Sequence, residues 1–221
     1  MRNLAVSPRA RLMSVLAGAA SLLLVVSAPA QAAPVTLTSG HVDVLDVDYT
    51  SNTLTLDLLD ETTSTAVDRA PADVTLKVPV AAKHTNVPST APWAFLGTGG
   101  TAWILPQSQT SGLLWAGWNT TDVPSGTFKD NKLTFSLTGV SGPAGFSVYT
   151  ASGSTPTVLL DSGDGLPDTL SVNTGAHTHA NWGFDAAGTY KVTFSVSGVL
   201  ASTGQTVSTG SKTYTFQVTD N

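Results

Sequence analysis

Apolar and polar residues alternate along much of this chain. Thr53-Leu54-Thr55-Leu56-Asp57-Leu58, Val74-Thr75-Leu76-Lys77-Val78, Lys132-Leu133-Thr134-Phe135-Ser136-Leu137 and Phe146-Ser147-Val148-Tyr149 each place apolar side chains at every second position. Successive side chains of a strand leave opposite faces, so each segment reads as a strand with one buried face. The clearest runs from Thr189 to Val196, with Tyr190, Val192, Phe194 and Val196 on the inner side. Its approach, Asp185-Ala186-Ala187-Gly188-Thr189-Tyr190, matches the turn before the penultimate strand of immunoglobulin-like sandwiches, where a tyrosine hydroxyl ties the turn. A last strand, Lys212 to Val218, turns Tyr214, Phe216 and Val218 inward. The pattern predicts an all-β, mainly antiparallel, immunoglobulin-like β-sandwich, with residues from roughly 126 to 221 as its body.

The segment from Pro88 to Pro124 breaks this pattern. It holds Trp93, Trp103, Trp115 and Trp118 among Gly97, Gly99, Gly100, Gly112 and Gly117, with Pro92 and Pro106. It reads as a long packed insertion, irregular because glycine and proline interrupt any regular element. Most of its tryptophans are expected to pack inward, the commoner fate of large aromatics, with a platform for sugar rings as the alternative.

The N-terminus reads as a secretory signal peptide over residues 1–32. Arg2, Arg9 and Arg11 precede an apolar core from Leu12 to Val26, and Ala30-Gln31-Ala32 offers a small-residue cleavage site. One domain, residues 33–221, is left, with no integral membrane segment after cleavage. Loss of three arginines from 10 basic residues leaves 7 against 15 acidic ones, a formal charge of −8. That balance argues against nucleic acid as a partner. The chain has no cysteine, so thiolate metal sites, cysteine nucleophiles and disulfides are excluded.

The sharpest chemical signal is His177-Thr178-His179, in a chain of four histidines. On a strand, side chains at i and i+2 share a face, so both imidazoles can reach one ion. Zinc and copper favour such nitrogen donors. The other reading is two turn histidines packed on Trp182. His41-Val42-Asp43 repeats the spacing near the start of the mature chain, which suggests a site of His41, His177 and His179. Asp43 would be a fourth ligand or the partner that orients an imidazole, and Asn181 and Trp182 are candidates to support the ligands. If the His41 strand lies beside the segment that precedes the tyrosine turn, the imidazole nitrogens are expected within roughly 3–5 Å of one another, given metal–nitrogen bonds of about 2 Å. His84 reads as a solvated loop residue.

Asp161, Asp164 and Asp168 in Asp161-Ser162-Gly163-Asp164-Gly165-Leu166-Pro167-Asp168 form a weaker candidate for calcium. The EF-hand spacing and its closing glutamate are absent, and a charged turn is the plainer reading. No Gly-x-Ser-x-Gly, His-Glu-x-x-His or phosphate-binding glycine loop occurs, and Glu61 is the only glutamate. The residues favour metal binding without catalysis. A cell-surface adhesion or glycan-binding module is the second reading, and a zinc-dependent hydrolase, using an open three-histidine site, is the third.

Gly40-His41-Val42-Asp43-Val44, the segment from Ala94-Phe95-Leu96-Gly97 through Trp103-Ile104-Leu105-Pro106-Gln107 to Leu114-Trp115-Ala116-Gly117-Trp118, and Asp164-Gly165-Leu166-Pro167 leading to His177-Thr178-His179-Ala180-Asn181-Trp182 resemble actinobacterial surface-anchored proteins of the choice-of-anchor M domain family. The resemblance covers nearly the whole mature chain. It implies a secreted or cell-surface protein, with the recurrent histidines of the family at His41, His177 and His179. It also implies extracellular metal capture beside an ABC-type uptake system, with a metal-transport substrate-binding protein or a cell-envelope component as partner. The chain departs from the family in its means of attachment: no Leu-Pro-x-Thr-Gly motif or hydrophobic helix follows the last predicted strand, so a released or partner-held protein is expected.

Overall fold

The computed structural model describes residues 34–97 and 99–221, so the signal segment lies outside the described residues. The strands follow the alternation read above. In chain order they are β1 (Val35–Leu37), β2 (Gly40–Thr50), β3 (Thr53–Glu61), β4 (Val67–Arg69), β5 (Val74–Val78), β6 (Lys83–His84), β7 (Ala102–Leu105), β8 (Leu114–Asn119) and β9 (Lys132–Ser141). They continue with β10 (Phe146–Ser152), β11 (Thr155–Asp161), β12 (Asp168–Asn173), β13 (His177–His179), β14 (Asn181–Phe184), β15 (Gly188–Val199), β16 (Thr206–Ser208) and β17 (Lys212–Val218).

These strands form three sheets. The largest has the order β1-β5-β17-β15-β9-β12, with β16 beside β15. The second is β11-β10-β14-β7-β6, and the third is β13-β8-β2-β3-β4. One core joins them. Phe194 and Phe216 of the first sheet meet Phe146 and Trp182 of the second, and the Tyr214 hydroxyl donates to the Asp57 carbonyl of the third at 3.2 Å. The fold is therefore all-β with packed sheets, as the alternation predicts. The tyrosine turn is also present: the Tyr190 hydroxyl donates to the Ala186 carbonyl at 3.0 Å and accepts from the Ala186 amide at 3.1 Å.

Two expectations need correction. The sheets are mainly antiparallel, as expected, but β1 pairs β5, β5 pairs β17 and β2 pairs β8 in parallel, which draws N-terminal strands into them. Consequently the sandwich is not confined to residues beyond 126. Periodicity marks a strand and its buried face but carries no information on which neighbour it finds or in which direction. The tryptophan-rich segment is likewise not an irregular insertion, since it supplies β7 to the second sheet and β8 to the third. Trp103 and Trp118, on those strands, are buried, while Trp93 and Trp115 are half-buried.

The strand that positions the site is β2. Ser51 and Asn52, both with positive φ, make a two-residue turn into β3, and Thr50 pairs Thr53. Positive φ at both turn positions suits the right-handed twist of a hairpin. The register then slips by one between Asp43 and Asp46, so that His41 lies opposite Glu61. Continued without that bulge, the same hairpin would set His41 against Thr62. A bulge of this kind re-aims side chains, and here it decides which residue faces His41.

Candidate metal centre

Three cross-strand rows build the site on one face of the third sheet. His41 of β2 lies beside Trp115 of β8; Asp43 lies beside Gly117, which faces His179 of β13; and Asp46 lies beside Asn119, which faces His177. Each pair of neighbours along a strand is two residues apart, or three across the bulge in β2, so all project from the same side. The His41 strand does not touch the His177 strand: β8 runs between them. The two strands are not neighbours, and the reason the rings still meet is Gly117. A Cβ there would lie 2.6 Å from His179 Nδ1 and 2.7 Å from the Thr178 carbonyl oxygen. The missing side chain leaves the space that His179 occupies.

The donor atoms converge. His41 Nε2 and His179 Nε2 are 3.1 Å apart, His177 Nε2 is 3.0 Å from Asp43 Oδ1, and His41 Nε2 is 3.7 Å from the same oxygen. One ligand atom from each of His41, Asp43, His177 and His179 fits within a span of 4.8 Å. Tetrahedral zinc with bonds of about 2.0–2.1 Å sets its ligand atoms roughly 3.3–3.4 Å apart, so closure on an ion requires only small shifts. The cluster could bind a metal ion.

Outer contacts orient these side chains. His41 Nδ1 lies 2.6 Å from Glu61 Oε2. A carboxylate only accepts, so neutral His41 keeps its proton on Nδ1 and presents its Nε2 lone pair to the cluster. His179 stacks on Trp115 with ring centroids 3.7 Å apart and planes 13° from parallel, and Trp115 also lies against His41. The indole is held in turn, since its Nε1 donates to the Gln107 carbonyl at 2.8 Å. Gln107 is fixed by Asn181, whose Oδ1 accepts from the Gln107 amide at 2.8 Å. Asn181 thus supports the site at a distance, through Gln107 and Trp115.

The electrostatics favour a cation. The Asp43 side chain is 1% exposed, and burial raises its carboxyl above the usual range although His177 and His41 pull it back. A buried carboxylate is costly without a positive charge beside it, and a metal ion would supply one. Burial pushes His179 down to about 4, against the Ala116 backbone and with help from His41 and His177. His179 is therefore neutral, and able to ligate, well below neutral pH. The His177 side chain is 42% exposed, which leaves the site open to solvent on that side.

The other candidates fall elsewhere. Trp182 does not support the site: it is fully buried, packs on Phe146, Phe194 and Phe216, and belongs to β14 in a different sheet. The buried Ala180 separates β13 from β14, so the chain leaves one sheet for another between His179 and Trp182. His84, on β6, is exposed and outside the cluster. The Asp161 and Asp168 carboxylates hold the turn, accepting from the Gly163 amide at 2.8 Å and the Asp161 amide at 2.7 Å, while Asp164 is exposed. Sequence reasoning missed Glu61, Trp115 and Gly117. The alternation Trp115-x-Gly117-x-Asn119 held the clue, for it puts Trp115 and Trp118 on opposite faces of one strand.

No protein-family model, curated protein or solved structure matches this chain.

Proposed function

We propose that this protein binds a divalent transition-metal ion outside the cell, zinc in the first place and copper in the second. His41, His177, His179 and Asp43 are the ligands in this reading, and Glu61 orients His41. The observation that carries it is the convergence of three imidazoles on the buried Asp43 carboxylate. Nitrogen donors with one carboxylate suit zinc and copper, whereas calcium prefers a full set of oxygens. Three neutral rings and one carboxylate leave a divalent ion with one net positive charge, and Glu61 lies close enough to offset it.

Binding is favoured over hydrolysis because both carboxylates near the ion already have roles, Asp43 as donor and Glu61 on His41. Neither is free as a general base. Export rests on the signal-like residues 1–32, and among the described residues no helix is long and apolar enough to cross a membrane. Capture of metal for an ABC-type uptake system rests on the family resemblance alone.

Equilibrium dialysis of metal-stripped protein against zinc, copper and calcium tests the reading. One equivalent of zinc or copper retained, with no calcium, is the expected result. Retention of neither transition metal by the wild-type chain would end the proposal.

A further inference from the structure

A second concave site lies on the outer side of the second sheet, away from the histidine cluster. The 3-10 turn Ala91–Leu96 folds over β7, β10 and β14, and between them is a cavity of about 370 Å³. The turn carries a small apolar cluster of its own, separate from the main core, in which Leu96, Ala102 and Tyr149 are buried against Trp93, Phe95 and Ile104. Protein interiors leave few voids larger than a water molecule, and apolar hollows of about 300 Å³ or more with a few polar groups are typical of small-molecule sites.

The walls define the ligand. Trp93 and Tyr149 stand edge to face, 6.0 Å apart at 87°, and Phe95 lies against both rings at 6.2 and 4.9 Å. Their positions are set by one another, so the aromatic walls are formed in advance of any ligand. Leu96 and Ile104 complete the apolar lining, and His84, Asn86, Ser154 and Asn181 are the polar groups at its edge. Among the described residues, no lysine, arginine, aspartate or glutamate lines the cavity. A charged ligand would lose its hydration without gaining a lysine, arginine or carboxylate partner. A sugar would leave many hydroxyl groups against apolar walls, since the amide of Asn181 is already bonded to Gln107.

We infer that this cavity binds an uncharged ring compound, one or two fused rings with a single hydrogen-bonding group, between Trp93, Tyr149 and Ile104. The inference is independent of the metal site. It is tested on the full chain with EDTA present, by calorimetry or ligand-observed NMR, using 2-naphthol, its charged counterpart 2-naphthoate, and cellobiose. The expected result is saturable one-to-one binding of 2-naphthol, at least tenfold weaker binding of 2-naphthoate, and none of cellobiose. Ser154→Trp, at an exposed turn where a large side chain can reach over the cavity without entering the core, is expected to weaken 2-naphthol at least tenfold, as is Trp93→Ala. Absence of saturable 2-naphthol binding overturns the inference. So does equal or tighter binding of 2-naphthoate or cellobiose, or wild-type affinity in both variants with a native near-ultraviolet dichroism spectrum.

Discussion

His41 Nε2 and His179 Nε2 lie 3.1 Å apart although 138 residues separate them in the chain. Glu61 holds the His41 proton at Nδ1, so the His41 lone pair faces His179 directly. A cation between the rings would turn this approach into one edge of a coordination polyhedron.

Replacing His177 and His179 together by alanine is expected to abolish zinc binding. Zinc at a hundred times its dissociation constant should stabilise the wild-type protein by about 2.7 kcal/mol by mass action, and the double variant should show no such shift in a thermal melt. The apo melting temperatures should be close, because His177 is exposed and His179 is half-buried, while the core belongs to other residues. Unaltered zinc affinity in the double variant would refute the site.

Glu61→Gln keeps the size of the side chain and removes its charge. Partners of metal-bound histidines are worth about 10- to 100-fold in affinity, so a competition titration against a chelator should show a loss in that range. The Glu61 side chain is 37% exposed, and its replacement should leave the apo stability nearly unchanged. An affinity within twofold of wild type would mean that Glu61 does not orient His41.

Gly117→Ala should damage the site without touching a ligand. The added Cβ would meet His179 Nδ1 at 2.6 Å and the Thr178 carbonyl at 2.7 Å, and the latter is backbone that cannot rotate away. Overpacking of this kind costs roughly 1–3 kcal/mol. Denaturant unfolding should show that loss, and zinc affinity should fall at least tenfold as β13 is pushed off β8.

Stability should depend on pH in opposite senses at two residues. Burial raises the Asp46 carboxyl from 3.8 to about 7, against the hydrogen bond from Asn119. The folded state then binds more protons than the unfolded state between these values, so this contribution is full below about pH 4 and is lost as pH rises to about 7. Asp46→Asn should therefore stabilise the apo protein at pH 8, on the order of 2 kcal/mol, and bring no gain at pH 4. His179, depressed from 6.5 to about 4, acts the other way: its contribution is present above 6.5 and is lost as pH falls toward 4. Urea titrations of wild type and Asp46→Asn at both pH values check the first sign; a gain at pH 4 equal to that at pH 8 would contradict it.

The tryptophans should separate by face. Trp103 and Trp118 are buried, 4% and 6% exposed, and alanine at either should cost about 3–5 kcal/mol. Trp115→Ala should cost less in stability but weaken zinc binding, because it removes the ring on which His179 stacks. Zinc should also change the fluorescence of wild-type protein, and this response should disappear in Trp115→Ala. Persistence of the full response would place the reporting tryptophan elsewhere.

Strands and their buried faces were legible in the sequence because side-chain alternation is local. The runs at Thr53, Val74, Lys132 and Thr189 each became a strand, and the tyrosine turn formed where Asp185 to Tyr190 placed it. The candidate ligands were legible for the same reason, since two residues apart on a strand means one face, whether at His41 and Asp43 or at His177 and His179. Everything that brings those two pairs together is non-local. The parallel pairing of β2 with β8 sets Asp43 beside Gly117, the bulge after Asp43 sets His41 against Glu61, and the absent side chain of Gly117 admits His179 from the far side. Trp182 shows the converse: three residues from His179, it enters another sheet, because proximity in the chain does not bind a residue to the sheet of its neighbour. Local periodicity determined which side chains could act together, and strand order and register, chosen by burial across the whole domain, decided which of them meet.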